Sequence, residues 1–197
     1  MTRTLVVFAR APQLGRVKSR LAKGIGTSAA LAFYRRTLGD VTRRVGRDRR
    51  WRTVLAVTPD RTMRCARLWP PRLARCAQGA GDLGTRMART LRSFPAGPVC
   101  IIGADIPDIT PARIWRAFRV LGSAEVVFGP AEDGGYWLVG ALRGRHLKLF
   151  EHVRWSTRHA LADTRANLKR RRVALIDRLQ DIDDAAAYRR WREKTTP

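Results

Sequence analysis

The chain has few acidic residues: 16 Asp and Glu stand against 40 Lys and Arg among 197 residues, a formal net charge of +24. Such an excess is typical of nucleic-acid binding, of attraction for phosphorylated small molecules or an anionic membrane surface, or of an arginine-rich surface without function. The cations are spread over the whole length, and no recognised DNA- or RNA-binding motif occurs. We therefore expect a basic surface that steers phosphates, with nucleic acid as a disfavoured partner and a nucleic-acid-associated module as an open alternative.

Cysteine and long apolar runs are also scarce. Cys65, Cys76 and Cys100 are odd in number and lack metal-ligand spacing, which argues against a disulfide framework and for a reducing compartment. No apolar run approaches the roughly 20 residues of a membrane span, and the apolar stretch at the start is too short for a signal peptide. These absences predict a cytoplasmic protein, and the length fits a single domain over residues 1–197.

Several catalytic patterns are missing as well. The sequence contains no Walker A loop, no dinucleotide-binding glycine fingerprint and no recognisable Ser-His-Asp or Cys-His arrangement. His146, His152 and His159 lack metal-ligand spacing, so we assign them no role.

What the sequence does contain is a regular alternation of short apolar runs with amphipathic segments. Strands are predicted at 5–9, 54–57, 73–77, 99–104, 125–128, 136–139 and 173–176. Helices are predicted at 27–45 (capped by Thr27 or Ser28), 63–68, from 81–84 onward, from 110–111 onward, at 157–169, and after Asp183 as a cap. This alternation predicts an α/β protein with a mostly parallel sheet in a three-layer α/β/α sandwich.

The most informative segment is the apolar run 99–104, which ends abruptly in Asp105 and is followed by Pro107. A buried strand would place the Asp105 carboxylate at its carboxyl end, where ligands bind in open α/β sheets. A carboxylate there needs a cation or ligand donors to satisfy it. The alternative is an Asp that caps the next turn.

A basic segment follows the first predicted strand (residues 8–20, FARAPQLGRVKSR). Gly15 permits close backbone approach, and Arg10, Arg16, Lys18 and Arg20 could converge on phosphates. The alternative is a basic surface loop.

A glycine-rich segment occupies residues 78–86 (QGAGDLGTR). It could wrap a base or ribose, but by itself it reads more simply as a glycine turn in which Asp82 caps the next helix.

Residues 132–136 (EDGGY) precede a further predicted strand. Asp133 there and Asp105 could share one divalent cation, and oxygen ligands suit Mg²⁺ or Mn²⁺. Asp-Gly is also a strong hairpin signal, and the two interpretations are compatible. Two weaker candidates are Trp155, as a helix-start aromatic or a substrate contact, and Asp181 with Asp183, chiefly as caps and less favourably as site residues.

Five segments, 8–22, 81–84, 103–107, 129–137 and 155–157, together resemble the motifs of a bacterial family of GT-A-type glycosyltransferases, often described as arsenosugar-biosynthesis-type. The resemblance runs in order over essentially the whole chain. More distantly, the chain is similar to 2-phospho-L-lactate guanylyltransferase and molybdenum cofactor guanylyltransferase, which share the nucleotide-diphospho-sugar transferase fold.

The resemblance implies a fold in which the loop after the first strand holds nucleotide phosphates and an Asp at a central strand end binds a metal ion. The nucleotide- and phosphate-binding candidates are then Ala9, Arg10, Ala11, Pro12, Gly15, Lys18, Arg20, Gln78, Gly81 and Asp82. Asp105 becomes the metal ligand and Asp133 a second ligand or a sugar contact. The Asp-x-Asp of many GT-A enzymes is replaced here by Asp105-Ile-Pro-Asp108, so the second ligand is sought at Asp133.

The predicted function is transfer from a nucleotide-diphosphate sugar to a small-molecule acceptor with Mg²⁺ or Mn²⁺. Lys18, Asp105 and Asp133 are the predicted catalytic residues. The substrate is expected over four residues, Gly134, Gly135, Tyr136 and Trp155. The alternative is a guanylyltransferase-like nucleotidyltransferase that joins an NTP to a phosphorylated small molecule and releases pyrophosphate.

Overall fold

The computed structural model describes residues 2–94, 96–142 and 147–195; His146 lies outside them. Seven strands are present: β1 (Thr4–Arg10), β2 (Arg52–Thr58), β3 (Ala74–Ala77), β4 (Val99–Gly103), β5 (Val126–Pro130), β6 (Tyr136–Ala141) and β7 (Val173–Leu175). The α-helices are α1 (Ser19–Ile25), α2 (Thr27–Gly46), α3 (Leu83–Ser93), α4 (Pro111–Val120), α5 (Ala160–Ala166) and α6 (Ala185–Thr195). Two single 3₁₀ turns, Asp60–Thr62 and Ala66–Leu68, stand where one short helix was predicted.

The strands form one sheet in the order β3-β2-β1-β4-β6-β5-β7. Every neighbouring pair is parallel except the two that include β6, which runs antiparallel to β4 and to β5. The predicted, mostly parallel sheet is therefore confirmed. Because β6 alone is reversed, the β5–β6 hairpin lies at the same sheet edge as the carboxyl ends of β1 and β4, where open α/β sheets bind ligands.

Helices cover both faces of this sheet. Leu5 and Val7 of β1 pack into one apolar cluster with residues of α2 and α4. Val6, between them, points the other way and packs with residues of α3 and with the α5 region. This alternation along one strand places a helical layer on each side and confirms the three-layer α/β/α sandwich.

A third, smaller cluster joins α1 and α2 to the C-terminal helix α6. Leu21 and Ile182 are buried there, and the rings of Tyr188 and Trp191 meet Phe33 with centroids 5.4 and 5.3 Å away. Gly24 faces Ala185 so closely that a Cβ at residue 24 would collide with it. The glycine therefore lets α6 lie directly against α1.

Some predicted helix boundaries are wrong. The segment 157–169 is helical only over Ala160–Ala166. It starts late because Ser156 has a positive φ of 61° and turns follow it, and it ends early because the Leu168 N–H bonds to the Arg165 carbonyl, three residues back. Helix α1 was not predicted at all.

Two predicted caps are also wrong. Helix α2 begins after Gly26 without any side-chain cap from Thr27 or Ser28. At the start of α6, the Asp184 carboxylate accepts the backbone N–H of Ala187 at 2.8 Å, so Asp184 and not Asp183 is the cap. Asp183 is thereby left for a different contact. None of the helices in the described parts of the chain is long and apolar enough to cross a bilayer.

Candidate functional site

The Asp105 carboxylate, just beyond the end of β4, is bound to a buried lysine. Lys18 Nζ lies 2.8 Å from Asp105 Oδ2 and 2.6 Å from Asp183 Oδ1, and the Lys18 side chain is only 4% exposed. Asp105 does not cap the following helix, because the Thr110 hydroxyl accepts the first-turn N–H of Arg113. The carboxylate at the strand end is thus satisfied by a cation.

The backbone of Lys18 is held in an unusual conformation. Its φ of 49° and ψ of 46° are left-handed, which costs a non-glycine residue free energy and is most often found at functional sites. Burial alone would lower the pKa of the Lys18 amine, but Asp105 and Asp183 outweigh that effect, and the net pKa is raised. Lys18 is therefore a fixed positive charge at the sheet edge.

Two further carboxylates reach this edge on the segment that leads into α6. Ile182 is 2% exposed, so its neighbours Asp181 and Asp183 extend away from the apolar cluster that holds it. The pKa of Asp181 is raised to about 6 by burial first, then by repulsion from Asp183 and Asp133, while Lys18 acts in the opposite direction. In the sequence, Asp181 and Asp183 flank the apolar Ile182, and this alternation is the pattern that indicates two carboxylates on one side of the segment. The interpretation of both residues chiefly as helix caps does not describe their contacts.

A basic cavity of about 260 Å³ opens on the Lys18 side of Asp105. Arg10, Arg16 and Lys18 line it, and Tyr34 forms part of its wall. The Tyr34 hydroxyl both donates to the Arg10 carbonyl and accepts from the Arg10 N–H, each at 2.9 Å, which fixes the end of β1. Three cations in one concave site suit phosphate oxygens.

Only part of the predicted phosphate set lines this cavity. Arg10 and Lys18 do, whereas Ala9 and Ala11 are buried in the core. Pro12 offers its carbonyl to Arg35, Gly15 (φ 70°) shapes an exposed turn, and Arg20 lies exposed on α1. Pro12 and Gly15 therefore shape the loop, and Arg16 lines the cavity together with Arg10 and Lys18.

Gln78 has a structural task that its sequence context did not reveal. Its side chain is buried and donates to the carbonyls of Ala9, at 3.3 Å, and Ala56, at 2.9 Å. The oxygen of the same side-chain amide accepts a hydrogen bond from the Arg86 guanidinium at 2.9 Å. With its side-chain amide hydrogen-bonded to carbonyls near the ends of β1 and β2, Gln78 supports these strand ends and lines neither cavity described here.

The glycine-rich segment behaves as the simpler interpretation predicted. The Asp82 carboxylate accepts the N–H of Thr85 at 2.8 Å and caps α3. Gly81 has a φ of 106°, and a Cβ there would press on the Thr85 side chain. Glycine is therefore required for the turn into α3.

A second cavity, also of about 260 Å³, lies on the other side of Asp105. Its wall includes the aromatic rings of Tyr136 and Trp155, whose centroids are 6.5 Å apart in an edge-on arrangement. Three carboxylates line it: Asp105, Asp133 and Asp181. We call it the aromatic–acidic cavity.

The β5–β6 hairpin supplies one side of the aromatic–acidic cavity. Asp133 Oδ1 accepts the Gly135 N–H at 2.8 Å, and Gly134 has a φ of 86°, so the predicted tight turn is present. Gly134 packs against the backbone of Arg158 too closely for any side chain, whereas Gly135 lines the cavity. The turn and the cavity wall are thus the same segment.

The predicted metal site can be tested on these contacts. Among residues 2–94, 96–142 and 147–195, no group of three or more His, Cys, Asp or Glu is arranged around a metal position. Asp105 and Asp183 do converge on one cation, Lys18 Nζ. Carboxylate oxygens are ligands that Mg²⁺ binds, but a divalent ion at this pair would have to displace the Lys18 ammonium. Asp133 shares a cavity with Asp105, but no described contact joins the two side chains.

A family model described as "Uncharacterized protein conserved in bacteria (DUF2064)" matches residues 41–157. The chain belongs to this family. Among curated protein sequences, none matches the chain.

Solved structures share the fold across the whole of this DUF2064 chain. A protein from Desulfovibrio desulfuricans G20, provisionally described as a nucleotide-diphospho-sugar transferase, has a TM-score of 0.89 at 24% identity and covers 100% of this chain and 90% of its own. Rv0371c from Mycobacterium tuberculosis H37Rv, in a complex with manganese, has a TM-score of 0.55 at 19% identity, with 98% of both chains covered.

CMP:2-keto-3-deoxy-manno-octonic acid synthetase in complex with CTP has a TM-score of 0.59 at 12% identity, again with 98% of both chains covered. The nucleotide-diphospho-sugar transferase fold predicted for this chain is confirmed by these similarities.

Proposed function

We propose that this DUF2064 protein is a metal-dependent glycosyltransferase that uses a nucleotide-diphosphate sugar. The observation that carries the proposal is the position of Asp105, which lines two adjoining cavities of opposite character. One is basic and suits a diphosphate; the other is aromatic and acidic and suits a sugar. The bond to be broken in a nucleotide sugar joins these two kinds of group.

The basic cavity supports binding of the donor phosphates. Arg10 and Arg16 are exposed at its rim, while Lys18 lies buried at its base. Arginine can bind phosphate oxygens in a bidentate manner, and a buried ammonium gives a strong point charge. Such an arrangement would hold the diphosphate against the end of β4.

Departure of the nucleotide diphosphate leaves negative charge that the site must offset. Asp105 and Asp183 would hold a divalent ion, which would supply Lewis-acid stabilisation of that charge. The Lys18 ammonium, freed from its two carboxylates, would donate to the diphosphate oxygens as their charge grows. The manganese complex of Rv0371c supports a divalent ion on this fold.

The aromatic–acidic cavity supports binding of the sugar. Aromatic rings pack against the apolar faces of sugar rings, and carboxylates accept hydrogen bonds from hydroxyls. Tyr136, Trp155, Asp133 and Asp181 provide both kinds of contact around one cavity.

The test is incubation of the full chain with a panel of nucleotide sugars and Mn²⁺, with release of nucleoside diphosphate as the readout. Asp105→Asn should abolish release, and Asp108→Asn is the matched control, because Asp108 is exposed and lines neither cavity. Full activity of Asp105→Asn would contradict the proposed role.

A second candidate is a nucleotidyltransferase, in which the phosphate of a small-molecule acceptor attacks the α-phosphate of an NTP and pyrophosphate leaves. It is favoured by the fold shared with a CTP-bound synthetase over 98% of both chains, and three cations also suit a triphosphate. Release of pyrophosphate from an NTP in the same panel, without nucleoside diphosphate from any nucleotide sugar, would decide for this activity.

A further inference from the structure

The aromatic–acidic cavity differs in charge from the rest of the molecule. The chain carries 40 Lys and Arg, yet none of the described residues lining this cavity is basic. The neighbouring basic cavity, which shares Asp105 with it, is lined by three cations. Cationic side chains are therefore concentrated on one side of Asp105.

Two of the three carboxylates of this cavity have no cationic partner. Asp105 is paired with Lys18, but neither Asp133 nor Asp181 forms an ion pair within the described ranges 2–94, 96–142 and 147–195. Asp133 accepts one backbone N–H, from Gly135. Most of the acceptor capacity of these two groups is free for a ligand.

The aromatic wall makes the cavity a site rather than a patch of acids. Trp155 is wedged between Phe150 and Tyr136, with ring centroids 6.0 and 6.5 Å away. Its loop is fixed by Arg154, whose backbone and guanidinium donate to the Asp163 carboxylate at 2.8 to 3.0 Å. A ring held in this way can pack on a sugar face or on a cation.

We propose that the aromatic–acidic cavity selects a hydroxylated or aminated molecule that carries no phosphate. Hydroxyl and ammonium groups donate to the free oxygens of Asp133 and Asp181. A phosphate would meet the same oxygens as a like charge, with no described lining cation to offset it. That this molecule is a substrate rests on the proposed function. The cavity would exclude its phosphorylated counterpart.

The experiment uses three matched hexose probes, glucosamine, glucose and glucose 6-phosphate, added to the full chain without nucleotide or metal. Binding is followed by NMR on the Trp155 indole N–H, assigned with Trp155→Phe. We expect glucosamine to bind roughly tenfold or more tightly than glucose 6-phosphate, with glucose between them, because the carboxylates of Asp133 and Asp181 attract an ammonium and repel a phosphate.

Variants identify the source of the selectivity. Asp133→Asn and Asp181→Asn should each reduce the preference for glucosamine over glucose 6-phosphate severalfold, whereas Asp108→Asn should leave it unchanged. Glucose 6-phosphate binding at the Trp155 signal as tightly as glucose would overturn the proposal, and so would the absence of any shift with all three probes.

The test is separable from that of the proposed function. Binding of pyrophosphate to the basic cavity is measured on the same protein by calorimetry. If pyrophosphate fails to bind while the hexose order holds, the glycosyltransferase assignment fails and the selectivity stands. If pyrophosphate binds but the expected order of hexose affinities is absent, only the proposed selectivity of the aromatic–acidic cavity is contradicted.

Discussion

Replacement of Lys18 by methionine should have opposite effects on metal and on phosphate. Lys18 Nζ lies 2.8 Å from Asp105 Oδ2 and 2.6 Å from Asp183 Oδ1, the two carboxylates proposed to hold the divalent ion. A metal ion entering the free protein must displace this ammonium, so Lys18→Met should tighten Mn²⁺ binding. Loss of two charged hydrogen bonds sets the scale: we expect a gain on the order of tenfold or more, which corresponds to about 1.4 kcal/mol.

The same substitution should weaken phosphate binding and stability. Pyrophosphate should bind less tightly, because the basic cavity loses its buried cation. Unfolding should become easier by about 2 kcal/mol, less than two fully buried charged hydrogen bonds would give, since the carboxylates are 36% and 44% exposed and partly screened by water.

Mn²⁺ affinity is measured by electron paramagnetic resonance and pyrophosphate affinity by calorimetry. Lys23→Met is the matched control, because Lys23 lies exposed on the same helix, α1, and should change neither affinity. The reasoning is refuted if Lys18→Met binds Mn²⁺ no more tightly than the wild type, or if Lys23→Met produces an equal gain.

Three further outcomes are expected. The guanidinium of Arg154, helped by the Arg154 backbone N–H, lowers the pKa of Asp163 to about 2, so this pair contributes stability above the ordinary carboxyl range and loses it between about pH 4 and 2. Arg154→Ala should raise the pKa of Asp163 in an NMR titration toward, but not fully to, the ordinary carboxyl value, because the backbone N–H of residue 154 still donates to it. Gly24→Val should force α6 away from α1 and destabilise the fold by about 1–3 kcal/mol in urea unfolding, and unchanged stability would contradict the close packing. Added to Lys18→Met, Gly24→Val should abolish the gain in Mn²⁺ affinity that Lys18→Met produces alone. Exposed Cys65 should react with a thiol reagent in the native protein, while Cys100, whose thiol pKa is raised by complete burial, should react only after unfolding.

The sheet could be predicted because each of its strands is a short apolar run that is recognisable within a few adjacent residues. Residues 99–103 are almost wholly buried and needed no knowledge of their neighbours to be recognised. The hairpin was equally local, because Asp133 and Gly134 carry the turn in adjacent positions. Wherever the determinant lay within a few residues, the sequence was sufficient.

The rest of the site depends on contacts between distant segments. Helix α1 has only seven residues and starts at a left-handed Lys18, so no helical period could be read there. Asp183 resembled a cap because its true partner is 165 residues away. Gln78 resembled a ligand contact because nothing in its neighbourhood shows that β1 and β2 already use its amide.

The pairing of Lys18 with Asp183 also has a consequence for how the protein is made. Lys18 precedes Asp183 by 165 residues, so the lysine leaves the ribosome well before its second carboxylate. Domains begin to fold during synthesis, so the sheet can form while Lys18 still has only Asp105 beside it. An interrupted translation product that stops before Asp183 would contain all seven strands and lack the second carboxylate. Synthesis through Asp183 is therefore a condition for the complete Lys18 contact.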